Sequence, residues 1–218
     1  WEHPLVREIM DWFRKVFPSD ENGNEDLLDY FLKICASFLY GRNSEKYLYA
    51  FAGASNAGKS QIIKLFKKVL GTNYWVTFPN ELLTGTKRDS SGPSPEIAQA
   101  KAARGGVFSE LDAGIPIKSG KVKALTGGDD FYARNNHSDG GAIEAMFKTI
   151  IMCNQIPQIE GADAAIIENR FRYLPFLTIF SRDAPKDPEE QKKKRIYPMD
   201  ELFDSKLDSF KKPMAWIM

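Results

Sequence analysis

The chain has 218 residues, with 30 Lys and Arg against 29 Asp and Glu, for a formal net charge of +1. That length accommodates one full core with short appendages, and the near-neutral balance excludes a chain-wide basic coat. Any contact with nucleic acid must therefore come from a few placed residues. Two cysteines, Cys35 and Cys153, sit in apolar segments without metal-ligand spacing, which predicts buried thiols in a reducing compartment. No apolar run approaches the roughly 20 residues that cross a bilayer, and no charged-then-apolar leader follows Trp1, so no membrane contact is expected. A start at Trp1 leads us to expect a piece of a longer polypeptide.

In chain order, residues 1–41 give two helical patterns. "PLVREIMDWFRKVF" puts Leu5, Ile9, Trp12, Phe13 and Val16 on one face, and "EDLLDYFLKICASFLYG" repeats the spacing after the turn-rich "PSDENGNE". The expectation is a small helical collar before the core, serving either packing or contact between subunits. "KYLYAF", Lys46 to Phe51, then predicts a strand running into "GASNAGKS".

Gly53, four residues, Gly58, Lys59 and Ser60 satisfy the phosphate-loop pattern. The glycines let the backbone of Gly53, Ala54, Ser55, Asn56, Ala57 and Gly58 turn its amides onto phosphates. Lys59 is expected to reach the β- and γ-phosphates of ATP, and the Ser60 hydroxyl to ligate Mg2+. Ile62, Ile63, Leu65, Phe66, Val69 and Leu70 recur at helical spacing until Gly71, which places the anion at a helix N-terminus.

"YWVTFP" predicts a strand, "TGTKRDSSGPSP" a loop, and "EIAQAKAARGG" a helix ended by Gly105 and Gly106. "VFSELDAG" supplies a short strand with Glu110 at its tip and Asp112 two residues on. Glu110 is the carboxylate expected both to hold the magnesium shell and to polarise the attacking water. Strands alternating with helices predict an α/β fold, a parallel sheet between helices with ligands at the strand C-terminal ends.

In "KVKALTGGDDFYARNNHSDGGAIEAMFK", Lys121 and Lys123 close a helix stopped by Gly127 and Gly128, and "FYAR", "NNHSDGG" and "AIEAMFK" predict a hairpin. Lys121, Lys123, Arg134 and His137 suit contact with a DNA backbone, although a hairpin without function would read the same way. "KTIIMCNQIP" predicts a buried strand that releases Asn154, whose amide can donate to a γ-phosphate or orient water; an asparagine there is also ordinary turn chemistry. "IIENRFRYLPF" presents Arg170 and Arg172 just before an apolar strand, either as a salt-bridged surface or as a finger toward a neighbouring subunit's γ-phosphate. Ser181 to Pro198 is proline- and charge-rich and predicts a solvated linker with an exposed "KKKR", and the last 20 residues predict a packing helix.

Taken in order, "GASNAGKS", "VFSEL", "KALTGGDDFYAR", "TIIMCNQIP" and "RFRYLPF" resemble the superfamily 3 helicases, most of all the primase-helicase branch of poxvirus-like large DNA viruses, phages and plasmids. The likeness runs from Leu27 to Phe180. It implies an AAA+-type core over residues 42–180, between the helical segment and a tail at 181–218. It also implies a homo-oligomeric ring, usually a hexamer, that uses ATP and Mg2+ to move 3′ to 5′ on single-stranded DNA and open forked duplex, with a primase domain in the same parent chain. Position by position, Gly53, Gly58, Lys59 and Ser60 match the Walker A motif and Glu110 the Walker B acid. Lys123, Gly127, Gly128, Asp129 and Arg134 match the segment beside the DNA hairpin, Asn154 matches sensor 1, and Arg170 matches the finger with Arg172 as runner-up. Ser55 stands where the branch often has a further glycine, Asn56 lies one place early, and Asp112 is offset from the paired acids of some ATPases. The implied site of action is a viral replication site in host cytoplasm, or bacterial cytosol.

Two other readings share these parts. A small-molecule kinase would use the same loop but needs an acceptor pocket and an arginine-rich lid. A DNA-loading or packaging ATPase would grip DNA without separating strands.

Overall fold

The computed structural model describes residues 2–85, 98–111, 114–127, 130–133, 141–161 and 164–218. Its elements are α1 (Pro4–Val16), α2 (Asp26–Ser37), β1 (Leu48–Gly53), α3 (Lys59–Leu70), β2 (Trp75–Phe78), α4 (Glu81–Thr84) and a 3₁₀ turn at Gln99–Ala102. There follow β3 (Gly105–Phe108), β4 (Ile117–Lys118), α5 (Ser119–Thr126), β5 (Asp130–Ala133), β6 (Gly141–Glu144), β7 (Lys148–Cys153) and β8 (Ile159–Glu160). The chain closes with α6 (Ala164–Arg170), β9 (Phe171–Phe176), β10 (Ile179–Ser181), α7 (Pro188–Lys194), β11 (Ile196–Pro198) and α8 (Phe203–Ile217). Five strands form a sheet in the order β2-β3-β7-β1-β9, with β2, β3 and β7 parallel, so the α/β expectation holds.

The chain divides into two compact units. One consists of Trp1–Leu39, Ala52–Gly71 and Leu174–Met218. Helix α1 starts cleanly because Pro4 presets φ at its first turn and the His3 side chain accepts from Leu5 N at 3.2 Å. Its apolar face feeds an aromatic core: the ring centroids of Phe13 and Phe31 lie 4.9 Å apart, Phe17 and Phe31 4.4 Å, Phe17 and Phe176 5.0 Å, and Phe38 and Phe66 5.3 Å. Such pairs add about 0.5–1.5 kcal/mol each to their area burial. Helix α8 packs on α1 and α3, where Lys64 meets Asp204 at 2.7 Å and Lys68 meets Asp208 at 2.5 Å. These exposed pairs repeat at four-residue spacing on both helices and align them more than they stabilise them.

The segment Ser181 to Pro198 is solvated as its composition predicts, with no buried residue, but it is regular structure rather than a linker. Asp187 caps α7 by accepting from Glu190 N at 2.9 Å, Pro188 occupies the first helical position, and β10 pairs in parallel with β11. Lys192, Lys193 and Lys194 are exposed in the last turn of α7, where cations favour the helix dipole.

The second unit consists of Tyr40–Phe51 and Thr72–Tyr173. Its core gathers Leu48, Phe78, Leu83, Phe108, Ile117, Val122, Phe147, Ile151 and Ile166. Gly105 and Gly106 do not end a helix; they open β3. A Cβ on Gly106 would meet Phe78 Cε2 at 2.3 Å, so the strand reaches its neighbour only without a side chain there. Strand β1 also starts two residues later than "KYLYAF" predicts, and ends on Gly53. The expected hairpin is present as antiparallel β5 and β6.

Both cysteines are buried, and burial drives the Cys35 thiol well above its usual range. Lys148, only 1 % exposed, opens β7 and donates to the carbonyls of Tyr40, at 3.3 Å, and Arg42. Desolvation lowers its pKa below the ordinary 10.5, Glu45 opposes the shift and Arg104 reinforces it. Between the folded pKa and 10.5 the unfolded chain therefore binds more protons, and the desolvation cost is relieved as pH rises through that window. Urea midpoints of wild type and Lys148→Met, measured from pH 7 upward, should show the wild type gaining on the variant as pH approaches 10.5. Parallel pH profiles would refute this.

Candidate functional site

The phosphate loop lies in the first unit, between the end of β1 and the start of α3. Its two glycines serve different needs. A Cβ on Gly53 would sit 2.3 Å from the Phe176 carbonyl oxygen and 2.8 Å from Phe176 Cβ, so the strand end tolerates no side chain. Gly58, at φ +91°, caps α3 in the left-handed region. Asn56 is also left-handed, at φ +60°, a conformation asparagine accepts, and its carbonyl receives Phe180 N–H at 2.9 Å from β10. Gly53→Ala should lower stability by about 1–3 kcal/mol, because the clash is with backbone. An unchanged denaturation midpoint would refute it.

Helix α3 opens immediately after Gly58, whose carbonyl accepts from Ile62 N at 3.1 Å, and presents the positive end of its dipole at the loop's end. No acid occupies that first turn, and Lys67 and Lys68 balance the last. Lys59 is 7 % exposed, and its Nζ donates to the carbonyls of Gly53 and, at 2.9 Å, Ala54. Ser60 is exposed beside it. Amides, an ammonium and a hydroxyl at a helix N-terminus are the donor set that a polyphosphate with its metal requires. Ala54 and Ser55 are exposed and Ala57 is buried.

The other expected residues belong to the second unit. Glu110 is exposed two residues beyond β3, and Asn80, after β2, donates Nδ2 to its carbonyl at 3.3 Å. Asn154 is exposed at the end of β7. Asn80 was not foreseen; only the pairing of β2 with β3 brings it to Glu110. Among the described residues no group of three or more His, Cys, Asp or Glu could hold a metal. Magnesium does not need one, since it keeps several waters and is held through one or two protein groups plus phosphate.

Arg170 and Arg172 do not simply precede a strand. Arg170 closes α6, and its Nη1 donates to Thr126 Oγ1 at 2.8 Å and to Lys123 O at 3.5 Å. Arg172 lies within β9, donates to the carbonyls of Glu168 at 2.6 Å and Phe171 at 3.1 Å, and stacks 4.0 Å over the Tyr47 ring. Lys121 and Lys123 lie on α5, Lys123 exposed. Arg134, His137, Asp112, Gly128 and Asp129 lie outside the described residues.

No family model matches the chain. Among curated proteins it is 32 % identical over 217 residues to "Putative helicase 022R" of Frog virus 3, covering 98 % of this chain and 21 % of that protein. It is 33 % identical over 212 residues to "Putative helicase 184R" of Invertebrate iridescent virus 6, covering 94 % and 21 %. The chain thus spans about a fifth of the length of these relatives. Among solved structures, the apo NrS-1 C-terminal region superposes with a TM-score of 0.63 at 13 % identity, covering 98 % of this chain and 47 % of that one. The JCV helicase does so at 0.52 and 12 %, covering 98 % and 52 %. At those identities the structures speak for the fold alone, while the sequence matches carry the kinship. The chain is a homologue of a segment of the proteins named as helicases in large DNA viruses.

Proposed function

We propose that this chain is the ATP-driven motor domain of a superfamily 3 replicative DNA helicase, working as a homo-oligomeric ring, hexameric by family resemblance, within a longer primase-helicase. The observation that supports it most is a phosphate loop whose glycines answer to backbone geometry, in a chain aligned almost end to end with viral helicase relatives. The amides from Gly53 to Ser60 hold the phosphates of ATP, and Lys59 adds a point charge. Ser60 and Glu110 would hold Mg2+, which would supply neutralisation of the phosphate charge. Glu110 also polarises the attacking water, and the Asn154 amide orients that water or the γ-phosphate. Arg170 of the next copy, with Arg172 as the alternative, neutralises the charge that develops on transfer. Lys121, Lys123, Arg134 and His137 contact the backbone of one DNA strand, along which the ring translocates 3′ to 5′. The parent acts where viral or phage DNA is copied, in host cytoplasm or bacterial cytosol.

A forked duplex with a labelled strand, given ATP and Mg2+, tests this reading. Strand release together with DNA-stimulated phosphate release is the expected result. Stimulated phosphate release without strand separation would indicate a loading or packaging motor. Phosphate transfer to an acceptor, indifferent to DNA, would indicate a kinase and overturn the proposal.

A further inference from the structure

Helix α5 is fastened at both ends to the segment that leads into α6. At its start, β4 pairs with β8, and Ser119 Oγ donates to Gly161 O at 2.8 Å. At its end, Thr126 Oγ1 donates to Val122 O at 2.8 Å and accepts from Arg170 Nη1 at the same distance. The last carbonyls of a helix have no internal partner, and the guanidinium also reaches one of them, Lys123 O. Arg170 therefore closes the helix that carries Lys121 and Lys123 and that runs, four residues after Thr126, into the β5–β6 hairpin.

Thr126 is 1 % exposed. Arg170 itself is half-buried, and its Nη1 is committed to Thr126 Oγ1 and Lys123 O. To donate through Nη1 to a phosphate held by another copy, the guanidinium must swing out and surrender Thr126. We propose that Thr126 is a positioning residue that holds Arg170 in-chain, so that engagement of Arg170 with a neighbouring copy's nucleotide and the fastening of α5 compete for one guanidinium. This rests on the in-trans role of Arg170 stated above. Thr126 then acts as a brake: without DNA the guanidinium stays on α5, and a strand pulling on Lys121 and Lys123 strains α5 against its latch and releases Arg170 toward the neighbour. By reciprocity, a nucleotide in the neighbouring copy that engages Arg170 favours the same released state of α5 and strengthens its hold on the strand.

The test measures phosphate release from ATP with and without oligo(dT) on the assembled protein, for wild type, Thr126→Val, Thr126→Ser and Arg170→Ala. Charge-assisted hydrogen bonds bias such an equilibrium by about tenfold or more. Thr126→Val, which keeps the shape and removes the acceptor, should raise DNA-independent turnover about tenfold and bring the ratio of stimulated to basal turnover toward one. Thr126→Ser, which restores the hydroxyl, should return the wild-type ratio. A merely structural cap predicts the opposite sign: Thr126→Val would lower turnover in both conditions, and that result, or an unchanged ratio, overturns the proposal. If Thr126→Val fails to fold, Thr126→Ala takes its place with the same expectation. Arg170→Ala separates the two levels. Wild-type turnover in Arg170→Ala would sink the in-trans role itself, whereas lost turnover in Arg170→Ala with an unchanged ratio in Thr126→Val would sink only the brake.

Discussion

Arg170→Ala should lower ATP turnover of the assembled protein by roughly three to five orders of magnitude while nucleotide binding stays near the wild-type value, the signature expected of a group that acts on transition-state charge rather than on ground-state binding. The same change removes the hydrogen bond to Thr126 and the contact with Lys123 O, so a modest loss of stability accompanies it. Melting curves separate the two effects, since a folded but inactive variant isolates the catalytic one. Mixing is the sharper measurement. Arg170→Ala has an intact phosphate loop and Lys59→Ala an intact arginine, so copies of the two mixed in one ring recreate some interfaces with both parts. Recovered phosphate release in the mixture, from two inactive variants, is the expected outcome. No recovery at any ratio, in a mixture shown by sedimentation to co-assemble, would place the action of Arg170 within its own chain.

Lys59→Ala should lower kcat by about 10²–10³ and weaken ATP binding as well, because its ammonium meets charge present in both the bound nucleotide and the transition state. The structure makes the point charge a built feature: Lys59 is buried at the first position of α3, and its Nζ already rests on the Gly53 and Ala54 carbonyls of the loop. Little side-chain freedom remains to be lost on binding. Lys59→Arg should not restore turnover, since a planar fork differs in size and geometry from a compact ammonium. Calorimetry with ATP and steady-state kinetics check both parts, and turnover within threefold of wild type would refute the role of Lys59.

Much of the fold was legible because local patterns and tertiary packing agree. The face of α1, the run from Ile62 to Phe66, the alternation that gives a parallel sheet, and the hairpin at β5 and β6 all follow from periodicity and turn chemistry. The loop from Gly53 to Ser60 was legible for a different reason: its glycines stand at a fixed spacing, and the structure needs them there, Gly53 against Phe176 and Gly58 at φ +91°. Reading failed where glycine has two meanings. Gly105 and Gly106 signal a helix stop in isolation, but serve as a strand beneath Phe78. It failed again at Ser181 to Pro198, where charge and proline suggest a linker although the same residues cap and start α7 and pair β11 with β10.

The sequence by itself determined the chemistry available: a loop able to receive phosphates at a helix N-terminus, an acid beyond one strand, an amide beyond another, and two arginines at a strand's approach. Each is encoded within a few neighbouring residues, where spacing and side-chain type suffice. Only the tertiary structure decided which partners those groups take within the chain. Lys59 settles on its own loop, Glu110 has its backbone braced by Asn80, and Arg170 closes α5 through Thr126, 44 residues away in the chain. Such hydrogen bonds join segments whose approach depends on the packing of whole strands and helices, and no local pattern carries that information.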